Sequence, residues 1–240
     1  MHIHFIKHES FEQAGAYLTW AQKRGYGISF TQVYLREALP NSADEMDMLI
    51  VLGGPQSPDE DKTTFPYYDP QAEQHLIQQA IQANKVVVGV CLGAQLIGAS
   101  YGAGFSHSPN REIGNFPIFL TEAGANDDKI AHIGTQLTAG HWHNDMPNLT
   151  EQASVLAYSE GCPRQIVRYA DLVYGLQCHM EFTPEIAQDI VSKEKQLTQL
   201  SEQYPFVQNA DRLLSFDYRA MNDALFLFLD KLVEAYLKRK

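Results

Sequence analysis

The stretch Lys85-Val86-Val87-Val88-Gly89-Val90-Cys91-Leu92-Gly93-Ala94-Gln95, running on to Tyr101, decides how the rest of the chain is read. Lys85 to Val90 is apolar without polar alternation, the pattern of a central parallel strand covered by helices on both faces. Leu92 to Tyr101 holds helix-forming residues and stops at Gly102-Ala103-Gly104. Strand, sharp turn and helix therefore meet at Cys91. Glycines on either side of a nucleophile permit the close, strained turn that holds its side chain out, the form of a nucleophile elbow with Cys in place of Ser. The N-terminus of the following helix would face the sulfur and favour negative charge on it. Taken alone, the pattern fits a small Cys buried among valines equally well.

Upstream, His2 to His8 alternates as a strand, Ser10 to Arg24 reads as a helix capped by Ser10, and Gly27 to Tyr34 returns to strand. Asp47 to Leu52 is a short apolar strand running into the turn Gly53-Gly54-Pro55. From Asp69 to Asn84, Ala72, Leu76, Ile77, Ala80 and Ile81 share one helical face. Downstream come short β-like pieces at Ile113 to Leu120, Gln136 to His143, Ala153 to Ser159, Gln165 to Tyr169 and Leu172 to Cys178. Thr183 and Pro184 form a cap and first helical position for a helix through about Leu200. A last amphipathic helix from about Asp211 carries Met221, Leu225, Phe228, Leu229, Leu232 and Tyr236. The expected architecture is one α/β domain over residues 1–199, an open and mostly parallel sheet flanked by helices with short antiparallel strands added. Residues 200–240 are expected as a helical extension of that domain, with a homodimer contact as the alternative use of its apolar face.

Composition narrows the function. The 240 residues are 45% hydrophobic and 20% charged, which is globular, and the net charge of −11 opposes a nucleic-acid groove. The basic run Lys238-Arg239-Lys240 reads as a solvated helix end. No apolar stretch approaches the ~18 residues of a membrane span, and no secretory signal is read at the N-terminus, so the cytoplasm is the expected compartment. Three cysteines, Cys91, Cys162 and Cys178, make an odd number without CxxC spacing, which disfavours a disulfide framework. His2, His4, His8, His141 and His143 lack a Cys or carboxylate at ligand spacing, so no metal is expected. No P-loop, GxGxxG or Ser-Gly-Gly-Val-Asp type loop is present, and no cofactor is expected.

A second segment, Cys178-His179-Met180-Glu181-Phe182-Thr183-Pro184, falls where a strand ends and a helix begins. Strand C-termini of a parallel sheet gather on one edge, so His179 can meet Cys91 there. His179 would take the thiol proton and return it to a leaving amine, while Glu181, on the same side of an extended segment, would orient the imidazole. Glu181 by itself also fits a carboxylate at a helix start. The backbone N–H groups of Gly54 and Leu92 could supply the donors that a developing oxyanion needs; Gly53-Gly54 otherwise reads as a plain turn.

Gly53-Gly54-Pro55, Gly89-Val90-Cys91-Leu92-Gly93-Ala94-Gln95 and His179-Met180-Glu181 together resemble the class I (triad) glutamine amidotransferase domain, in the family's order and over about residues 1 to 195. The pattern is most similar to the amidotransferase half of GMP synthetase. Arg111-Glu112-Ile113-Gly114 and His143-Asn144-Asp145 are similar to further segments of the family. The resemblance implies a flavodoxin-like sheet, a Cys91 nucleophile, a His179 base, an orienting Glu181, and Gly54 and Leu92 as oxyanion donors. It also implies that Gln95 and Asp145 help hold the glutamine. Two positions depart from the family pattern: Met180 stands in place of Pro in His-Pro-Glu, and Asn144 in place of Gly in His-Gly-Asp.

The activity so implied is hydrolysis of the glutamine γ-amide through a γ-glutamyl thioester, with ammonia released for an unidentified acceptor, either as intrinsic glutaminase activity or to a separate synthetase subunit. The same triad would serve a γ-glutamyl peptidase or hydrolase. A third alternative is a catalytically silent protein that binds a metabolite and regulates.

Overall fold

A computed structural model of the chain describes residues 1–61 and 63–239. Lys240, the last residue of the terminal basic run, lies outside the described residues.

Strands β1 (His2–Lys7), β2 (Gly27–Gln32), β3 (Met48–Val51) and β4 (Val86–Val90) precede β5 (Phe105–Leu120), β6 (Gln136–Pro147), β7 (Ser154–Tyr158), β8 (Ile166–Ala170) and β9 (Val173–Leu176). They join in one sheet of order β2-β1-β3-β4-β9-β8-β7-β5-β6. The pairings from β2 through β9 are parallel, and those among β9, β8, β7, β5 and β6 are antiparallel. The parallel core follows the doubly wound order in which ligands sit beyond the strand C-termini. The antiparallel half is larger than short added strands would make it, because β5 runs for 16 residues.

Helices α1 (Gly15–Lys23), α2 (Pro70–Gln82), α3 (Leu92–Ser100), α4 (Glu122–Ala125), α5 (Pro184–Lys193), α6 (Leu197–Gln203), α7 (Ala210–Leu214) and α8 (Arg219–Leu237) complete the chain. The valine run behaves as a doubly covered strand must. Val86, Val88 and Val90 join the cluster that holds Tyr17 and Trp20 of α1 and Phe228 and Leu232 of α8. Val87 faces the opposite layer, with Leu76 and Ile77 of α2 and Leu96 of α3. The apolar stripe of α8 is thus covered by the chain's own core, and hydrogen bonds tie the helix down as well. Asp230 accepts hydrogen bonds from Trp20 Nε1 at 2.8 Å and Arg24 Nε at 2.7 Å, and Tyr236 donates to Asp47 at 2.8 Å.

Three helix boundaries differ from the expected ones. Ser10 caps nothing: α1 starts at Gly15, after Ala14, without a side-chain cap. The helix is started by a tertiary contact instead. The Ala16 N–H donates to the Glu181 carbonyl, and Gly15 adopts φ +46° where a Cβ would lie 2.2 Å from that oxygen. The Thr183 hydroxyl caps the next-to-last helical stretch as expected, accepting from the Ile186 N–H. That stretch breaks after Lys193, so that Leu197 and Leu200 of α6 can turn into a small cluster with Ile113, Val207 and Leu213. The final helix likewise splits into α7 and α8, and Tyr218 between them donates to the Leu213 carbonyl at 2.9 Å.

Candidate active site

Cys91 sits between β4 and α3 at φ 51° and ψ −108°, a left-handed conformation unusual for a residue with a Cβ. Its neighbours make that turn possible. A Cβ on Gly89 would come 2.3 Å from the Gly93 backbone, and one on Gly93 would come 2.0 Å from the Val51 carbonyl. The first turn of α3 therefore lies directly on β4 and β3. Cys91 is only 8% exposed yet lines a pocket. Its thiol points to the Trp142 carbonyl at 3.8 Å.

β4 pairs with β9, and the Cys91 N–H donates to Leu176 at 2.8 Å, so the chain beyond β9 emerges beside the elbow. His179 is held there by two backbone hydrogen bonds with Gly140 on β6, at 2.7 and 3.1 Å, and by stacking on Phe182. Its Nδ1 lies 2.6 Å from Glu181 Oε1, with both side chains buried. Burial alone would lower the His179 pKa. The Glu181 carboxylate and the Cys91 thiol outweigh it and hold the imidazole well above its ordinary value. His179 Nε2 makes no hydrogen bond of ordinary geometry among the described residues. Cys178, next in sequence, is fully buried and its thiol is pushed up by that burial; it faces the Gln165 carbonyl, away from the pocket.

The glycine turn after β3 converges on the same place. A Cβ on Gly53 would be 3.4 Å from His179 Cε1, and one on Gly54 would be 3.0 Å from the Leu92 side chain. His8, read in sequence only as a strand residue, anchors this turn. Its Nδ1 donates to the Gly53 carbonyl at 2.9 Å and its Nε2 pairs with Glu73 of α2 at 2.8 Å. Burial opposes a charge on His8, but the Glu73 carboxylate raises its pKa and favours the doubly protonated ring that can make both bonds.

The pocket has a volume of about 540 Å³. Gln95 and Asp145 both line it. Gln95 donates to Gln177 at 3.2 Å, while Asp145 meets His107 at 2.5 Å. Three further wall residues, Glu12, Arg111 and Lys193, escaped assignment from sequence. Burial raises the Glu12 carboxyl, and its Oε2 would lie 2.9 Å from a Cβ on Gly53. Nothing local marks it, because its place depends on the irregular loop that replaces the expected start of the first helix.

Beneath the pocket wall, β5 and β6 place Glu112 opposite His143 and Gly114 opposite His141. The carboxylate partner that spacing did not offer the two histidines thus comes from the neighbouring strand.

The model of the class-I glutamine amidotransferases matches residues 16–196, and the chain belongs to that family. Glutamine amidotransferase-like protein YfeJ of Salmonella typhimurium is 53% identical over 239 residues, spanning 100% of both chains. The crystal structure of SMU.1228c superposes with a TM-score of 0.96 and 52% identity, covering 97% of this chain and 100% of that one. A glutamine amidotransferase from Thermotoga maritima shares the fold, with a TM-score of 0.84 at 20% identity over 98% of each chain. A glutamine-hydrolyzing GMP synthase component of Methanococcus maripaludis is more distant, at 29% identity over 116 residues, 48% of this chain and 60% of that protein. Among the described residues no helix is long and apolar enough to cross a membrane.

Proposed function

We propose that the protein hydrolyses the γ-amide of glutamine through a Cys91–His179–Glu181 triad and releases ammonia. The observation that carries this reading is the 2.6 Å contact of His179 Nδ1 with buried Glu181, on an imidazole whose pKa the Cys91 thiol also raises. In this reading Cys91 reacts as a thiolate once its proton has passed to His179. The thiolate attacks the γ-carbonyl carbon, and the oxygen takes up negative charge beside the N–H groups of Gly54 and Leu92, where one such donor typically contributes ~3 kcal/mol. As the C–N bond breaks, His179 gives its proton to the leaving nitrogen, which departs as ammonia. Water then adds to the γ-glutamyl thioester, His179 takes one of its protons, and glutamate leaves with Cys91 regenerated as thiolate. Gln95 and Asp145 hold the amino-acid end of the substrate. The ammonia goes to an acceptor bound by a separate synthetase.

The size of the pocket favours a second reading. The cleft of about 540 Å³, with Arg111 and Lys193 in the wall alongside Glu12, Asp145 and Glu194, also has room for a γ-glutamyl compound with a larger leaving amine. Glutamate release from glutamine and from γ-glutamyl dipeptides, including glutathione, separates the two. A higher kcat/KM on glutamine supports the amidotransferase reading. A higher value on a peptide makes the protein a γ-glutamyl hydrolase, and no release from any of them contradicts both.

A further inference from the structure

The buried group beneath the pocket wall has a feature that its hydrogen bonds do not explain. Glu112, His141 and His143 are each at most 6% exposed, and one donor atom from each converges within 4.8 Å. His141 Nε2 lies 3.3 Å from the Phe116 carbonyl, which can only accept, so the ring proton sits on that nitrogen. Nδ1 is then a bare lone pair. It has no hydrogen-bond partner and lies 3.7 Å from the Glu112 carboxylate, another acceptor. Two buried acceptors this close repel unless a proton or a cation lies between them.

The spacing of the neighbouring groups is compatible with an ion, although Glu112 also accepts hydrogen bonds from Ser159 at 2.7 Å and Gln165 at 2.6 Å. His143 Nε2 is 3.1 Å from the same Glu112 oxygen. Separations of 3.1 and 3.7 Å bracket the ~3.4 Å expected between two donors bound to one tetrahedral ion at ~2.1 Å. Gln165 places its amide within 3.3 Å of His143 and 2.6 Å of Glu112, while its Oε1 has no partner. Turning that amide over would present its oxygen as a fourth ligand.

We propose that Glu112, His141 and His143 form a divalent transition-metal site, whose two imidazoles and one carboxylate suit zinc or ferrous iron. The ion would clamp β5 to β6 behind Trp142, whose carbonyl faces Cys91, and next to Gly140, which holds His179. Its role is structural, and it takes no part in the chemistry at Cys91.

The test uses the Cys91→Ala protein, because Cys91 and His179 could bind zinc themselves. The chelator-stripped protein is titrated with zinc chloride, passed through a desalting column and analysed for metal content and zinc X-ray absorption. The expected result is one retained zinc per chain with nitrogen and oxygen ligands only, at ~2.0–2.1 Å. Adding His141→Ala or Glu112→Gln should weaken binding by at least ~100-fold. Failure to retain zinc, a sulfur ligand, or equal retention in both variants would overturn the site and leave a proton-sharing network in its place. Circular dichroism checks that the variants are folded. Should neither fold, metal retention and the absorption spectrum of the Cys91→Ala protein decide alone.

Discussion

At the residue scale, two side chains are predicted to set the chemistry. Alkylation by iodoacetamide followed by peptide mass mapping should modify Cys91 alone, because it lines the pocket. Cys162 and Cys178 are buried, and burial pushes the Cys162 thiol up to about 11 and that of Cys178 higher still. Glu181 acts through His179. The imidazolium form delivers the proton to the leaving amine, so kcat/KM should fall as pH rises through the raised His179 pKa. Glu181→Gln removes the carboxylate that holds that pKa up, so the alkaline limb should move to lower pH. The plateau should also fall, by ~10² or more. An unmoved limb in a pH profile of the variant would mean that Glu181 does not govern the titration of His179.

At the element scale, the elbow depends on close backbone approach. Gly93→Ala forces a Cβ to within 2.0 Å of the Val51 carbonyl and should cost about 1–3 kcal/mol or more in denaturant unfolding. The same change at Gly102, where nothing lies within 4 Å, tests backbone strain without a clash and should cost less. The elements that carry the site were legible in the sequence because local pattern determines them. Val86 to Val90 has no polar alternation, α2 keeps its apolar residues on one face, and Thr183-Pro184 is a sufficient start for α5. The start of α1 was not legible, because it is set by Gly15 packing on the Glu181 backbone, a contact between distant parts of the chain. The breaks after Lys193 and Leu214 carry no Gly or Pro signal and follow from where Leu197, Leu200 and Leu213 find a core. The Glu112–His141–His143 group escaped for a related reason, since strand register across β5 and β6 assembles it. His8 and Glu73, which secure the Gly53 turn, likewise meet only in the folded chain.

At the scale of the whole molecule, five parallel strands bring Gly54, Cys91 and His179 to one edge, and α8 closes the opposite layer over β4. Phe228 is fully buried and packs edge-on against Tyr174 of β9 at 5.2 Å between ring centroids. Phe228→Ala should cost about 3–5 kcal/mol in chemical unfolding, as for other large core truncations. Leu227, which is 42% exposed on the same helix, should tolerate Ala with a much smaller change. Equal effects at the two positions would contradict the docking of α8. The central claim is that Cys91 is the nucleophile of a glutamine site, and reaction with a diazoketone analogue of glutamine tests it most directly. One covalent label per chain is expected, mapped to Cys91, slowed by excess glutamine and absent from Cys91→Ala. Labelling that persists in Cys91→Ala, or that glutamine does not slow, would contradict it.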